Sequence, residues 1–366
     1  MTTDEFYMKR ALELAVKAKG HTSPNPMVGA VIVKDNRIIG EGYHQKAGEP
    51  HAEVNAVQSA EESVKGATIY VTLEPCSHFG KTPPCSDLII RSEFKKVVVA
   101  TLDPNPLVAG RGLKRIEEAG IEVEVGVCEK ESVQMNEVFN YFITTKQPFT
   151  VMKYAMTLDG KIATETGQSK WISSKESREH AHRLRGELSG IMAGIGTVLK
   201  DNPQLTCRVP GYGNPIRIVV DSQLRIPLDA AVLADQNEAK TVILTTQYAS
   251  EEKLKALEAM SIEVIKVRDT DKRVDLSEAM QVLGEKGIDS ILLEGGGKLN
   301  ASALEAGIVN KVTIYIAPKL VGGENAISPV MGRGVKTMSE AYLFKDTQTF
   351  RIGEDIVIEA LIDRSE

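Results

Sequence analysis

At 366 residues the chain is too long for one ordinary domain, and its length points to two or three. Hydrophobic residues make up 42% and charged residues 26%, the range of a soluble globular protein. A net charge of −6 and a sequence pI near 5.7 leave no general basic field for a polyanion such as nucleic acid, although a local basic cluster could still meet a small charged substrate.

The N-terminus, Met1 to Phe6, has no basic region followed by an apolar stretch, and no apolar run approaches the ~20 residues that span a bilayer. A cytoplasmic protein is expected. Phe6, Met8, Leu12, Leu14, Ala15 and Val16 recur near helical spacing, which predicts a helix over 4–19 with Thr3 or Asp4 as N-cap. Val28 to Val33 and Arg37 to Gly42 read as strands joined at Lys34-Asp35-Asn36. A helix from His51 to about Ser63 places Ala52, Ala56, Val57 and Ala60 on one apolar face. Strands at 68–73, 96–101 and 121–126 alternate with helices starting near Ser86 and over 110–119, and a helix from Glu129 to about Thr144 closes an α/β order. Thr144 to Pro148 is the best boundary, because a polar stretch ending in Pro stops the helix and a strand at 149–155 follows at once. Two domains are therefore expected, 1–146 and 147–366. In the second, strands at 191–193, 217–221, 241–245, 263–267, 290–294, 312–317 and 355–361 alternate with helices early and run together later.

Within the first domain, His51-Ala52-Glu53 is followed by Pro75-Cys76 and then by Cys85. A catalytic zinc needs three protein ligands and one open position, and His with two Cys is the donor type it prefers. A structural zinc knuckle would usually take four protein ligands. Glu53 lies two residues past the imidazole, so on a helix starting at His51 it points elsewhere and can act on a bound water. The four cysteines, at 76, 85, 128 and 207, occur in a chain far too large to depend on disulfides. With two assigned to metal, Cys128 and Cys207 are expected to be reduced, packed thiols.

The pattern His-x-Glu with Pro-Cys and a second Cys resembles the zinc-dependent cytidine and nucleobase deaminases, in which the Glu shuttles protons. The eight residues Ser77 to Pro84 between the two thiols, where the general pattern has two, are similar to the riboflavin-biosynthesis deaminase branch, as are Ser23 to Ala30 and Asp103-Pro104-Asn105-Pro106. The resemblance implies a cytidine-deaminase-like three-layer α/β/α domain. It also implies that Asn25, His44, Ala52, His78, Lys81, Asp103 and Asn105 surround a pyrimidine and its ribose phosphate. For His44 and His78, loop histidines, simple solvation is the alternative.

Beyond residue 147, Leu293-Glu294-Gly295-Gly296-Gly297-Lys298 follows a strand and precedes the helical pattern Leu299, Ala303, Leu304, so bare N–H groups at a helix N-terminus could meet a phosphate. Taken alone, such a run is more often a turn than a cofactor loop, and no Gly-x-Gly-x-x-Gly supports a Rossmann fold. Its neighbours Leu158-Asp159-Gly160-Lys161, Ser169-x-Trp171-Ile172, Gly194-x-Gly196-Thr197-Val198, Asp201-Asn202-Pro203-x-Leu205-Thr206-x-Arg208 and Ala317 to Gly323 resemble, in this order, the reductase half of the same bifunctional enzymes. That half implies a dihydrofolate-reductase-like α/β domain, with NADPH held by Ala155, Trp171, Ser173, Thr197, Asp201, Ser222 and Gly295 to Gly297. Ser169, Arg185, Leu205, Arg208 and Glu294 match substrate positions, the two arginines suiting a phosphate through their forked donors. Lys153 would face the reacting ribose. For Arg185 a solvated helical charge, and for Trp171 a core aromatic, are the alternatives.

The whole resemblance implies zinc-dependent deamination of 2,5-diamino-6-(5-phosphoribosylamino)pyrimidin-4-one, with Glu53 moving the protons, then NADPH-dependent reduction of ribosyl to ribityl by a homo-oligomer. A nucleoside or tRNA deaminase fused to a reductase-like domain is the rival enzyme, and a non-catalytic zinc and nucleotide sensor the rival of another class. The acidic chain counts against RNA, and the presence of Glu53 counts against a sensor.

Overall fold

The computed structural model describes residues 2–77, 83–105 and 109–364. The chain divides into two compact units, Met1–Lys146 and Gln147–Glu366. The first runs α1 (Thr3–Val16), β1 (Gly29–Lys34), β2 (Arg37–Tyr43), α2 (Ala52–Gln58), β3 (Thr68–Val71), α3 (Cys85–Arg91), β4 (Lys96–Val99), α4 (Arg111–Glu118), β5 (Glu122–Val125), α5 (Glu129–Met135) and α6 (Glu137–Thr145). Its sheet order is β2-β1-β3-β4-β5, with β1 antiparallel to both neighbours and β3, β4 and β5 parallel.

Strand alternation makes the layers. Ala30 and Ile32 face a core that Ala52 and Ala56 of α2, Ile89 of α3, and Leu113 and Ile116 of α4 complete. Val31 and Val33 face Tyr7, Met8, Ala11 and Leu14 of α1. The result is a three-layer α/β/α unit. Because β1 runs against β3, the edge where β3 and β4 finish is also the edge where β1 starts and β2 ends. Asn25, His44, Cys76, Asp103 and Asn105 therefore fall along one rim.

Local details depart from the sequence expectations for identifiable reasons. The first helix is capped by Thr2, not Thr3 or Asp4, through a capping box with Glu5. The helix expected to reach Ser63 stops at Gln58, where the Ser59 hydroxyl donates to Glu41 O at 2.7 Å and accepts from Glu41 N at 2.9 Å. The helix expected from Glu129 to Thr144 is two, broken at Asn136, whose amide accepts from Met27 N and donates to Met27 O, both at 2.9 Å.

The second unit contains β6 (Phe149–Thr157), α7 (Lys175–Glu187), β7 (Gly190–Gly194), α8 (Ile195–Asp201), β8 (Ile216–Val220), β9 (Thr241–Thr245), α9 (Glu251–Ala259), β10 (Glu263–Lys266), a hairpin of β11 (Asp269–Thr270) and β12 (Arg273–Val274), α10 (Leu276–Glu285), β13 (Ser290–Leu293), α11 (Gly297–Glu305), β14 (Lys311–Ala317), β15 (Phe344–Ile352) and β16 (Asp355–Ile362). Its nine-stranded sheet has the order β10-β9-β8-β7-β13-β6-β14-β16-β15. The strands from β10 to β14 are parallel, and β16 and β15 each run antiparallel to the strand before them. Met152, Met192, Ile218 and Leu293 pack under α10 and α11, while Ile191, Val219 and Ile243 pack under α8 and α9. The helix that carries Arg185 begins at Lys175, where Ser174 caps it by accepting from Ser177 N. Sequence reading missed β15 because eight of its nine residues are exposed, so no apolar alternation marks it. Among the described residues no helix is long and apolar enough to cross a membrane.

One contact seats the helix that carries His51 and Glu53. A Cβ added to Gly42 of β2 would stand 2.3 Å from Ala56 N and 2.6 Å from Ala52 O, so α2 lies directly on glycine backbone. Gly42→Ala should destabilise the first unit by about 1–3 kcal/mol, the cost typical of overpacking. Denaturant unfolding together with zinc analysis checks it; parent-like stability and metal content would contradict the close docking.

Candidate active sites

His51 is the residue preceding α2, Cys76 follows the end of β3, and Cys85 opens α3. Their donor atoms all lie within 4.8 Å of one another, the one such cluster of three among the described residues. Cys76 Sγ is 3.6 Å and Cys85 Sγ 3.3 Å from His51 Nδ1. Tetrahedral zinc with Zn–S near 2.3 Å and Zn–N near 2.0 Å separates donors by roughly 3.5–3.8 Å, so the residues present fit zinc, with one position left open. Hydrogen bonds from Cys85 and His51 hold the Cys76 thiol well below its ordinary pKa despite its burial, while the bond to Cys76 and burial push Cys85 up. A metal cation binds both as thiolates, so its binding would draw off the proton that Cys85 and Cys76 share.

Glu53, in the first turn of α2, is 3% exposed. Burial, reinforced by the negative charge of Cys76, raises its pKa to about 7. Around this core His44 is buried too, not a solvated loop residue: its Nδ1 lies 3.2 Å from Pro50 O, its Nε2 3.3 Å from Asn25 Nδ2, and its ring meets His51 edge-on. These contacts fit a neutral imidazole that donates from Nδ1 and accepts at Nε2, and burial lowers its pKa. Ala52 is fully buried in α2. Asp103 and Asn105 form an Asx turn, Asn105 N donating to Asp103 Oδ1 at 2.9 Å. His78 and Lys81 lie outside the described residues.

In the second unit Glu294 follows β13. Its carboxylate accepts from Arg185 Nε at 2.8 Å and a second Arg185 nitrogen at 2.9 Å, and Lys153 Nζ stands 3.8 Å away. Arg185 also donates to Thr206 O at 3.1 Å. Its side chain is 17% exposed, so it is not a solvated helical charge, and the fork expected to meet a phosphate is engaged by Glu294. Burial alone would raise the Glu294 pKa, but the charges of Arg185 and Lys153 outweigh it and bring it down to about 2. Arg208 faces solvent beside Gln204, and Leu205 is buried.

Gly296 precedes α11, and Thr197 Oγ1 is the nearest atom, at 3.9 Å, to a Cβ built there. At Gly295 the added atom would meet Asn300 Oδ1 at 2.8 Å, and at Gly297 it would meet Ser328 O at 2.5 Å. The outer glycines thus permit packing and the middle one leaves open backbone, a cradle that fits a dinucleotide phosphate. Ala155 lies on β6 opposite Tyr315, and Ser222 follows β8, its hydroxyl accepting from Val274 N at 3.1 Å. Asp201 is exposed at the end of α8 and Ser169 is half-buried. Trp171 is 63% exposed, which rules out a core aromatic, and the Arg178 guanidinium stacks 4.5 Å from its ring centroid while donating to Ser173 O.

Three of the separately noticed motifs meet. Asp159 accepts from Val321 N at 3.2 Å and Gly322 N at 2.7 Å, and Lys319 Nζ donates to Trp171 O at 2.9 Å and Ile172 O at 2.7 Å. The Thr157 hydroxyl, donating to Asp159 Oδ1 at 2.6 Å, and secondarily those backbone bonds bring the Asp159 pKa down to about 2.

Residues 148–358 match the family model described as RibD C-terminal domain, and residues 1–101 match the cytidine and deoxycytidylate deaminase zinc-binding region. A riboflavin biosynthesis protein RibD of Actinobacillus pleuropneumoniae is 49% identical over 98% of this chain and 96% of its own length. The chain belongs to the RibD family. The RibD of Aquifex aeolicus is 48% identical over 97% of both chains. Among solved structures, Acinetobacter baumannii RibD (form 1) superposes with a TM-score of 0.88 at 35% identity, covering 99% of each chain. A diaminohydroxyphosphoribosylaminopyrimidine deaminase/5-amino-6-(5-phosphoribosylamino)uracil reductase from Thermotoga maritima gives 0.87 at 39% identity, also over 99% of each. This RibD-family chain is accordingly a bifunctional enzyme of riboflavin biosynthesis, a zinc-dependent deaminase and an NADPH-dependent reductase. The expected fold, a cytidine-deaminase-like unit followed by a dihydrofolate-reductase-like one, is that of these relatives.

Sequence reasoning missed Glu74, Asn136 and the buried Tyr315, whose hydroxyl lies 2.6 Å from His180 Nδ1 under Lys153. Only Glu74, directly before Pro75-Cys76, carried a signal. Because the folded pKa of Glu294 is depressed, its ionised form stabilises the second unit above its ordinary value of 4.5, and that contribution disappears as pH falls from there toward 2. Acid unfolding followed by the fluorescence of Trp171, the one tryptophan, should show this dependence in the parent and a flatter one in Glu294→Gln. Equal slopes would contradict the assignment.

Proposed function

We propose that the first unit deaminates 2,5-diamino-6-(5-phosphoribosylamino)pyrimidin-4-one, and that the second reduces the product, 5-amino-6-(5-phosphoribosylamino)uracil, to its ribityl form. The observation that carries the reading is the full-length match at 39% identity to the Thermotoga maritima enzyme named for these compounds, joined to a donor set that fits zinc beside a buried Glu53.

Zinc held by His51, Cys76 and Cys85 would lower the pKa of a water in the open position toward ~7. Glu53, within reach of Cys85 and shielded from solvent, accepts the proton of the attacking water and returns it to the leaving ammonia. Asn25, His44, Ala52, Asp103 and Asn105 border the pyrimidine along the rim of the sheet.

In the second unit NADPH supplies the hydride. Gly295 to Gly297 and Thr197 receive its phosphates, with Ala155, Trp171, Ser173, Asp201 and Ser222 completing the cradle. Lys153, kept in place by Glu294, faces the ribose and stabilises charge on its oxygen as C1′ is reduced. Ser169, Leu205 and Arg208 border the substrate; Arg208 is the better placed cation for its phosphate, because Arg185 is occupied in holding Glu294.

A small acidic enzyme of this kind has no nucleic-acid partner, and its four free cysteines suit the cytoplasm. The exposed outer strand β15, with Phe344 at 43% and Phe350 at 37%, offers an edge through which copies of the chain assemble. Light scattering should give a multiple of 39.9 kDa; a monomer at working concentration would contradict assembly.

The two chemistries should separate by mutation. Glu53→Ala should keep zinc, lose deamination by far more than the ~100-fold at the low end of general acid–base catalysis, and still oxidise NADPH when given the deaminated pyrimidine. Lys153→Ala should release ammonia normally, and its reduction rate should fall more than its NADPH binding. Ammonia release by the first variant, or reduction by the second within a few-fold of the parent, would reject the corresponding role.

A further inference from the structure

Glu74 is 4% exposed and sits two residues before Cys76. Its carboxylate is engaged by three backbone donors from a separate stretch of chain: Asp103 N at 3.3 Å and Gly110 N at 2.9 Å to Oε2, and Gly112 N at 3.0 Å to Oε1. Gly110 is the residue preceding α4 and has no side chain to cap it, so two unpaired N–H groups of that helix find their acceptor in Glu74. The approach is close. A Cβ at Gly112 would stand 2.1 Å from Pro75 O, which fixes α4 against the Glu74-Pro75-Cys76 segment. In the reverse direction Glu74 N donates to Thr101 O at 3.0 Å. The segment that ends in the metal donor Cys76 and the turn that carries Asp103 and Asn105 are thus joined through one side chain.

We propose that Glu74 is a positioning residue for deamination, setting the distance between the metal and the Asp103–Asn105 wall against which the pyrimidine lies. It touches neither substrate nor metal and acts through the Asp103 backbone. The proposal rests on the reading above that Asp103 and Asn105 contact substrate. An amide cannot replace the carboxylate, because it accepts through one oxygen while its NH2 would face at least one of the three N–H donors.

Deamination kinetics of full-length, zinc-loaded Glu74→Gln test this. The expected result is a KM for the diaminopyrimidine raised about tenfold to a hundredfold, the range for a lost charge-assisted hydrogen bond, with kcat within a few-fold, one zinc per chain and unchanged NADPH oxidation on the deaminated substrate. Should Glu74→Gln not fold, Glu74→Asp, one methylene too short to reach all three donors, carries the same expectation. A lowered melting temperature or lost zinc with an unchanged KM in the loaded fraction would overturn the proposal and leave Glu74 a purely structural cap. Asp103→Ala separates the premise from the inference. If it leaves KM unchanged, the wall is wrongly assigned and the proposal falls with it; if it raises KM while Glu74→Gln does not, only the positioning role falls. If both raise KM, the double variant should show less than the product of the two effects, because they act through one contact.

Discussion

Two thiols and an imidazole can share one cation only if three chain segments end at the same point, and the first unit is built to make them do so. Sheet direction does most of it: with β1 antiparallel to β3, four strand ends open on one rim. Helix docking does the rest. His51 arrives because α2 lies on the bare backbone of Gly42, and Cys85 arrives as the first residue of α3. The same docking buries Glu53, and burial is what lifts its carboxyl toward neutrality, so one packing event positions His51 and sets the protonation of the carboxyl beside it.

The second unit meets a different constraint. A carboxylate buried at the end of β13 would be costly alone, and Glu294 is tolerable because Arg185 reaches it with two nitrogens and Lys153 stands close by. That arrangement fixes a cation at the C-terminal rim of a parallel sheet, where loops from β7, β8 and β13 gather Thr197, Ser222 and the three glycines. Asp159 and Lys319 tie the surrounding loops together through backbone groups, which brings short motifs far apart in the chain side by side.

The metal donors and Glu53 were legible because donor type and spacing are chemical requirements that composition cannot mimic. Element existence was legible wherever one face is apolar, and failed at β15, which shows solvent on nearly every residue. Roles that depend on distant partners were not. Glu74 and Asn136 act on backbone 29 to 38 and 109 residues away; the place of Glu74 before Pro75-Cys76 hints at importance but not at its partners, and nothing local distinguishes Asn136 from other polar residues. Arg185 illustrates the converse: its type suggested a phosphate, and only the fold reveals that Glu294 already occupies its fork. Trp171 looked equally able to fill a core, and its exposure comes from its place on a loop held by Lys319.

Deamination in the first unit depends on zinc held by three protein donors with one position open. X-ray absorption at the zinc edge of the purified, metal-loaded chain tests it most directly. Two sulfur neighbours near 2.3 Å and two nitrogen or oxygen neighbours near 2.0–2.1 Å are expected, one of the latter from His51 and one from solvent. A first shell of three or four sulfurs, or one with no sulfur at all, would contradict it.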